Sequence, residues 1–162
     1  AALGELRPLR TDRPRSRGAS GTGATDWLHV DRQRTEALRA IASGWDATLN
    51  MLMLALFATV TAERAGHPQI VLGMPVRGRT QAGLEPVAGF FNNLLPVPVR
   101  VPADGTVEQL VATVKAELME ALSHQELPFE RIAVEPEVLA KTQSAGLYQA
   151  LFSWQDLSLI HI

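Results

Sequence analysis

The segment NNLLPVPVRV, residues 92–101, constrains the fold more than any other. A period of two puts Leu95, Val97, Val99 and Val101 on one side and Pro96, Pro98 and Arg100 on the other, so the backbone is extended with one apolar face. Proline carries no N–H, and two prolines at alternate positions strip donors from one edge of the hydrogen-bonding ladder. The strand read over Gly89–Val101 must therefore lie at a sheet edge or leave the sheet there. Its natural neighbour is QIVLGMP, Gln69–Pro75, a continuous apolar run of strand length, as an interior strand covered on both faces requires.

Three helices are legible around these strands. Thr106 and Gln109 form a Thr-x-x-Gln capping box, after which Val107, Leu110, Val111, Val114, Leu118, Ala121 and Leu122 trace one apolar stripe. That helix ends near His124, because Pro128 disfavours helical geometry at Leu127. Thr48 is an N-cap for a helix from Leu49 to about Ala65, and Gly66 supplies a left-handed stop. Ala37, Leu38, Ile41 and Ala42 mark a helix from Arg32 that ends before Gly44. Two further strands are predicted, a short one in DWLHV around Trp27–Val30 and a closing one in GLYQALFSW, Gly146–Trp154. The order of elements predicts an α/β layer structure.

Composition narrows the function. With 162 residues and 46% apolar content the chain suits one soluble domain. A formal net charge of −2 argues against general attraction to nucleic acid or to anionic membrane. Residues 1–25 lack an apolar period and read as a connector; their five arginines interleave with no aromatic residue that could stack on a base. The most apolar window, Leu49–Val60, is shorter than the roughly twenty residues of a membrane span and reads as a buried helix. Absence of cysteine excludes disulfides and thiolate metal sites and points to a reducing compartment, the cytoplasm. The chain opens AALGEL without an initiator Met and reads as a piece of something longer.

No complete active site is visible in the residues. His29, His67, His124 and His161 show neither metal-ligand spacing nor an acid–base pairing, and there is no nucleophile elbow, phosphate loop or dinucleotide fingerprint. His124 is placed to meet the negative end of a helix macrodipole, a structural role, with Leu127 and Phe129 docked in the core and Pro128 turning the chain. Asn92 and Asn93 break an apolar strand, and two readings stay open: a local turn or bulge, or an amide facing a ligand channel. Arg77 and Arg79 read as solvent-facing or salt-bridged residues rather than ligand clamps.

Five segments, in this order, resemble the condensation domains of nonribosomal peptide synthetases. LRTDRPR (Leu9–Arg15) resembles their Leu-Pro-Thr-Asp-Arg-Pro-Arg signature, with Arg10 in place of the usual Pro. VLGMPVRGR (Val71–Arg79) is similar to their Gly-x-Pro-x-x-Gly-Arg strand and loop, and GFFNNLLPVPVR to their Gly-Phe-Phe-Val-Asn-Thr motif. HQELPFE matches His-Gln-Asp/Glu-x-Pro-Phe-Glu in full, through His124, Gln125, Pro128, Phe129 and Glu130. LYQALFSWQD resembles the Leu-Phe-Gln-x-x-Phe-x-x-Gln-Asn strand. The resemblance covers about residues 6–156. Asn92 stands where Val is usual and Leu94 where Thr is usual.

The resemblance implies one subdomain, residues 26–156, of a chloramphenicol-acetyltransferase-like pair: a mixed sheet layered with helices, with the reaction in a tunnel between the two halves. There an amine on one carrier-protein-tethered aminoacyl thioester attacks the thioester carbonyl of another. Substrates ride on phosphopantetheine arms of carrier proteins, no cofactor is bound directly, and an adjacent adenylation domain is the expected neighbour. The His-His-x-x-x-Asp-Gly motif of the family is absent from these residues, so the resemblance implies a catalytic histidine upstream of Ala1 and an inactive isolated fragment. It also implies Asn93 in the acceptor channel, Arg79 or Arg13 as salt-bridge partners of the missing motif's Asp, and His124 as a structural motif residue. The alternatives are an ester-forming acyltransferase of the same superfamily and a non-catalytic module that docks carrier proteins. Residues 157–162, LSLIHI, fit nothing in the pattern and read as an in-frame translation of a transposon-end sequencing adaptor, a non-native tail.

Overall fold

The computed structural model describes residues 6–12, 23–142 and 146–155. Its described elements are α1 (Arg32–Gly44), α2 (Leu49–Ala65), β1 (Gln69–Val76), β2 (Asn93–Arg100), α3 (Val107–Ser123), α4 (Phe129–Ala133), α5 (Pro136–Thr142) and β3 (Ala150–Leu151). The strands form one mixed sheet in the order β2-β1-β3, with β1 antiparallel to β2 and parallel to β3.

The helix boundaries follow from side-chain caps. Thr48 accepts the Met51 N–H at 3.3 Å, and Gly66 closes α2 at φ +62°. Thr106 and Gln109 complete a reciprocal box, each side chain bonded to the other's backbone N–H. Asp31 caps α1 through the Arg34 N–H at 2.8 Å. α1 and α2 meet at 97°. At that turn Asp46 sits at φ +52°, and Lys115 of α3 reaches its carboxylate at 2.7 Å and its carbonyl at 2.5 Å. No single helix among the described residues is long and apolar enough to cross a membrane.

The core lies between the sheet and α2 with α3. Ile70, Leu72 and Met74 of β1 pair in register with Val99, Val97 and Leu95 of β2, and their shared face packs on Leu54 and Ala58 of α2 and Val111 and Val114 of α3. Val71 and Gly73, on the opposite face of β1, are buried as well, so β1 is the doubly covered interior strand its composition predicts. β2 lies at one edge of the sheet, with β3 at the other. Pro96 and Pro98 lie opposite Gly73 and Val71, whose own backbone groups turn to β3, so the two prolines face away from β1 and cost the ladder nothing.

Several expectations are corrected. Trp27–Val30 is not a strand; the segment has no strand partner among the described residues, and Trp27 and Leu28 are 88% and 91% exposed. Two helices therefore precede the first strand. The predicted closing strand shrinks from Gly146–Trp154 to Ala150–Leu151 because the Gln149 side chain replaces a backbone rung, its Oε1 accepting the Val71 N–H at 2.7 Å. Gly73 permits the close approach there, since a Cβ on it would meet Leu151 at 2.8 Å and Tyr148 at 3.1 Å. Of the α1 stripe only Ala42 is buried, because α1 packs against α2 and not against the sheet. Val107, in the first turn of α3, is exposed, and so is Leu127. α4 and α5 were not predicted. Leu6, in the irregular segment 6–12, is buried and donates its N–H to Lys141 of α5 at 3.1 Å. The tail 157–162 and Arg13 lie outside the described residues.

Candidate functional site

A groove of about 800 Å³ opens where the β1–β2 loop, the start of β2, the α3–α4 connection and the approach to β3 converge. Its walls draw on four of the five motifs, including Gly78, Phe91, Asn93, Phe129, Glu130 and Tyr148. These residues are far apart in sequence and meet only through the fold.

Asn93 is the clip that joins two of the walls. Its Nδ2 donates to the carbonyls of Gln125 and Leu127 at 2.9 and 2.8 Å, while Oδ1 accepts the N–H groups of Phe129 at 3.1 Å and Leu94 at 2.9 Å. Two donors to two carbonyls and an acceptor to two N–H groups admit only one orientation of the amide. The side chain lines the groove, yet its hydrogen-bonding capacity is committed to backbone. In sequence the asparagine pair is open to a local turn or bulge or to an amide facing a ligand channel; Asn93 lines the groove while its side chain ties the start of β2 to the α3–α4 connection. Asn92, its neighbour, is exposed in the same groove and forms no hydrogen bond among the described residues.

The second organising residue is Arg79. Its Nη1 donates to the carbonyls of Leu84 and Val87, and Nη2 to Gly89 at 3.3 Å, while the guanidinium stacks on the Phe91 ring at 4.3 Å. One planar side chain thus gathers the whole loop between β1 and β2, and no carboxylate pairs with it among the described residues. Gly78 makes the loop possible: at φ +60° its missing Cβ would fall 1.9 Å from the Phe91 carbonyl. Arg77 is salt-bridged to Glu85 at 2.9 Å. Thr80 donates its hydroxyl to Glu126 at 2.6 Å and so fastens the loop to the α3–α4 connection.

The remaining motif residues divide. Gln125 and Pro128 line the groove, Phe129 packs on Tyr148 with ring centroids 5.7 Å apart, and Glu130 lines the groove without an ion-pair partner among the described residues. His124 is not in the groove. It is the C-cap of α3, exposed, with Nε2 3.3 Å from Glu120 one turn back. His29 is exposed, His67 bonds within its own turn to Gln69, and His161 lies outside the described residues. No group of residues able to hold a metal ion occurs among the described residues. Sequence reasoning missed Thr80, Glu126 and Tyr148 as groove residues. Nothing in their spacing signals that a loop and a strand approach meet.

Comparison with known proteins places this architecture among condensation domains of the chloramphenicol-acetyltransferase-like fold. Superposition on a four-domain nonribosomal peptide synthetase bound to AMP and glycine gives a TM-score of 0.80 at 25% identity, covering 98% of this chain and 12% of that one. The X-domain from teicoplanin biosynthesis gives 0.76 at 27% identity, covering 96% and 34%. The Condensation domain family model matches residues 2–159, and the chain belongs to that family. It is 34% identical over 148 residues to malpibaldin synthetase of Mortierella alpina, 91% of this chain and 3% of that protein. It is 31% identical over 146 residues to tyrocidine synthase 2 of Brevibacillus parabrevis, 90% and 4%. The chain therefore spans a small part of the curated relatives it matches.

Proposed function

We propose that this chain forms one wall of a peptide-bond-forming channel in a nonribosomal peptide synthetase. The amine of an acceptor aminoacyl thioester attacks the donor thioester carbonyl. A C–N bond forms, the C–S bond breaks, the amine loses a proton and the donor's pantetheine thiol leaves carrying one. Both reactants arrive on carrier-protein arms, and holding them together removes much of the entropic barrier, which suits a reaction whose nucleophile is the acceptor's own amine. The observation that carries this reading is the convergence of four motifs on one groove.

Among the described residues the groove is lined by no imidazole; in this reading the proton-handling histidine belongs to the His-His-x-x-x-Asp-Gly motif of an N-terminal half. Arg79, whose Nη groups already hold loop carbonyls, retains Nε–H for that motif's Asp; Arg13 is the other proposed partner. An adenylation domain and carrier proteins complete the assembly, in the cytoplasm.

The test compares the 162-residue chain with the full-length condensation domain in an assay with carrier-bound aminoacyl thioesters, offering amine and alcohol acceptors in parallel. The full domain should form amide, and replacing the second histidine of the upstream motif should abolish it. Amide formation at enzymatic speed by the isolated chain would overturn the reading. Ester formation alone would reassign it to an alcohol-accepting relative, and carrier binding without turnover to a docking module.

A further inference from the structure

Asn92 and Asn93 are adjacent and chemically identical, and the fold treats them oppositely. Asn93 is clamped by four hydrogen bonds to the backbone. Asn92, one residue before β2, lines the groove with its carboxamide unused among the described residues. The clamp on Asn93 anchors the backbone from which the Asn92 side chain extends, so this amide is presented from a fixed point rather than from a mobile loop. Its surroundings are mixed: Phe90, Phe91, Phe129 and Tyr148 line the same groove beside Thr80, Gln81, Gln125, Glu126 and Glu130. An unpartnered amide with two donors and an acceptor rewards a ligand that brings a polar group to it and gives nothing to an aliphatic one.

We propose that Asn92 is a specificity-determining residue of this wall, selecting a tethered substrate whose side chain bears a hydrogen-bonding group over an apolar side chain of the same size. The proposal deepens the functional reading above and rests on it for the identity of the ligand. One neutral hydrogen bond corresponds to a preference of roughly ten-fold. Selection by contact with a polar group, rather than by pocket size, is the physical content.

The experiment uses the full-length condensation domain and two near-isosteric probes, glutaminyl-pantetheine and methionyl-pantetheine. Their dissociation constants and their rates as acceptors are measured with the native residue, with Asn92→Val and with Asn92→Ser. The native protein should prefer the glutaminyl probe by roughly ten-fold, Asn92→Val should erase the preference through the glutaminyl probe alone, and Asn92→Ser should keep part of it. Equal affinities in the native protein overturn the proposal, as does an equal loss for both probes in Asn92→Val, which would assign the amide to the pantetheine they share. Binding is read without turnover, so failure of the condensation reading shows as absent product, separately from the outcome for Asn92. Because Asn92 is exposed and makes no hydrogen bond among the described residues, unfolding of each variant should match the native domain.

Discussion

The Asn93 carboxamide oxygen accepts the Phe129 N–H at 3.1 Å, bonding the residue that opens β2 to the first residue of α4 across 36 positions of sequence. The same side chain holds the carbonyls of Gln125 and Leu127, so the Gln125–Phe129 turn hangs from one amide. Asn93→Ala should lower unfolding stability by about 1–3 kcal/mol, because partly buried groups lose their partners. Asn93→Asp should be at least as damaging at neutral pH, since a carboxylate faces two carbonyl oxygens without a hydrogen to give. Urea unfolding of both variants checks this.

Gly78→Ala should destabilise by about 1–3 kcal/mol, from a left-handed φ and a Cβ driven into the Phe91 carbonyl. The loop should yield before the core does. Limited proteolysis should show new cleavage between residues 77 and 92, with β1 and α3 still resistant.

Arg79→Lys keeps the charge and loses the planar fork that reaches three carbonyls. Amide hydrogen exchange across residues 80–89 should quicken by about ten-fold or more, while exchange in α2 is unchanged. Equal protection in the variant would mean that the loop holds its shape without the fork.

His124→Ala should leave condensation by the full domain within about two-fold of native, with stability altered by less than about 1 kcal/mol, since an exposed cap and a one-turn pair with Glu120 are its contacts. A loss of activity of about a hundred-fold would place this imidazole at the chemistry after all.

Acid should weaken the tie between the α1–α2 turn and α3. The Lys115 hydrogen bond, and after it the Lys115 charge, hold the Asp46 carboxyl below its ordinary 3.8. A lowered folded-state pKa means that the contribution is complete above the unfolded value and disappears as pH falls through the folded one. The stability difference between the native chain and Asp46→Asn should therefore be constant above about pH 5 and shrink below pH 3.8, and should narrow with added salt.

What the sequence made legible was whatever is decided locally. Thr48, Gly66, Thr106 and Gln109 fix helix ends through neighbours three or four residues away, and they delimited α2 and α3 closely. Pro96 and Pro98 announced an edge strand because a missing N–H is a property of the residue itself. The failures lie where a distant partner decides. Trp27–Val30 has the composition of a strand and no strand beside it. Gln149 ends a ladder early by inserting its own side chain, which no period reveals. α4 and α5, at five and seven residues, are too short to show a helical repeat, although Pro136 at the first position of α5 is a start signal. In the groove, the motifs named the participants. Only the fold separates Asn93, bound to backbone, from Asn92, exposed along the groove.

The prolines of β2 have a consequence for how copies of this protein meet. Along its outer margin the Leu94 N–H is taken by the Asn93 side chain, Pro96 and Pro98 have none, and Arg100 brings the next donor only at the strand's end. A second copy arriving there finds carbonyls with nothing to answer its own, so β2 is a poor template for edge-to-edge aggregation.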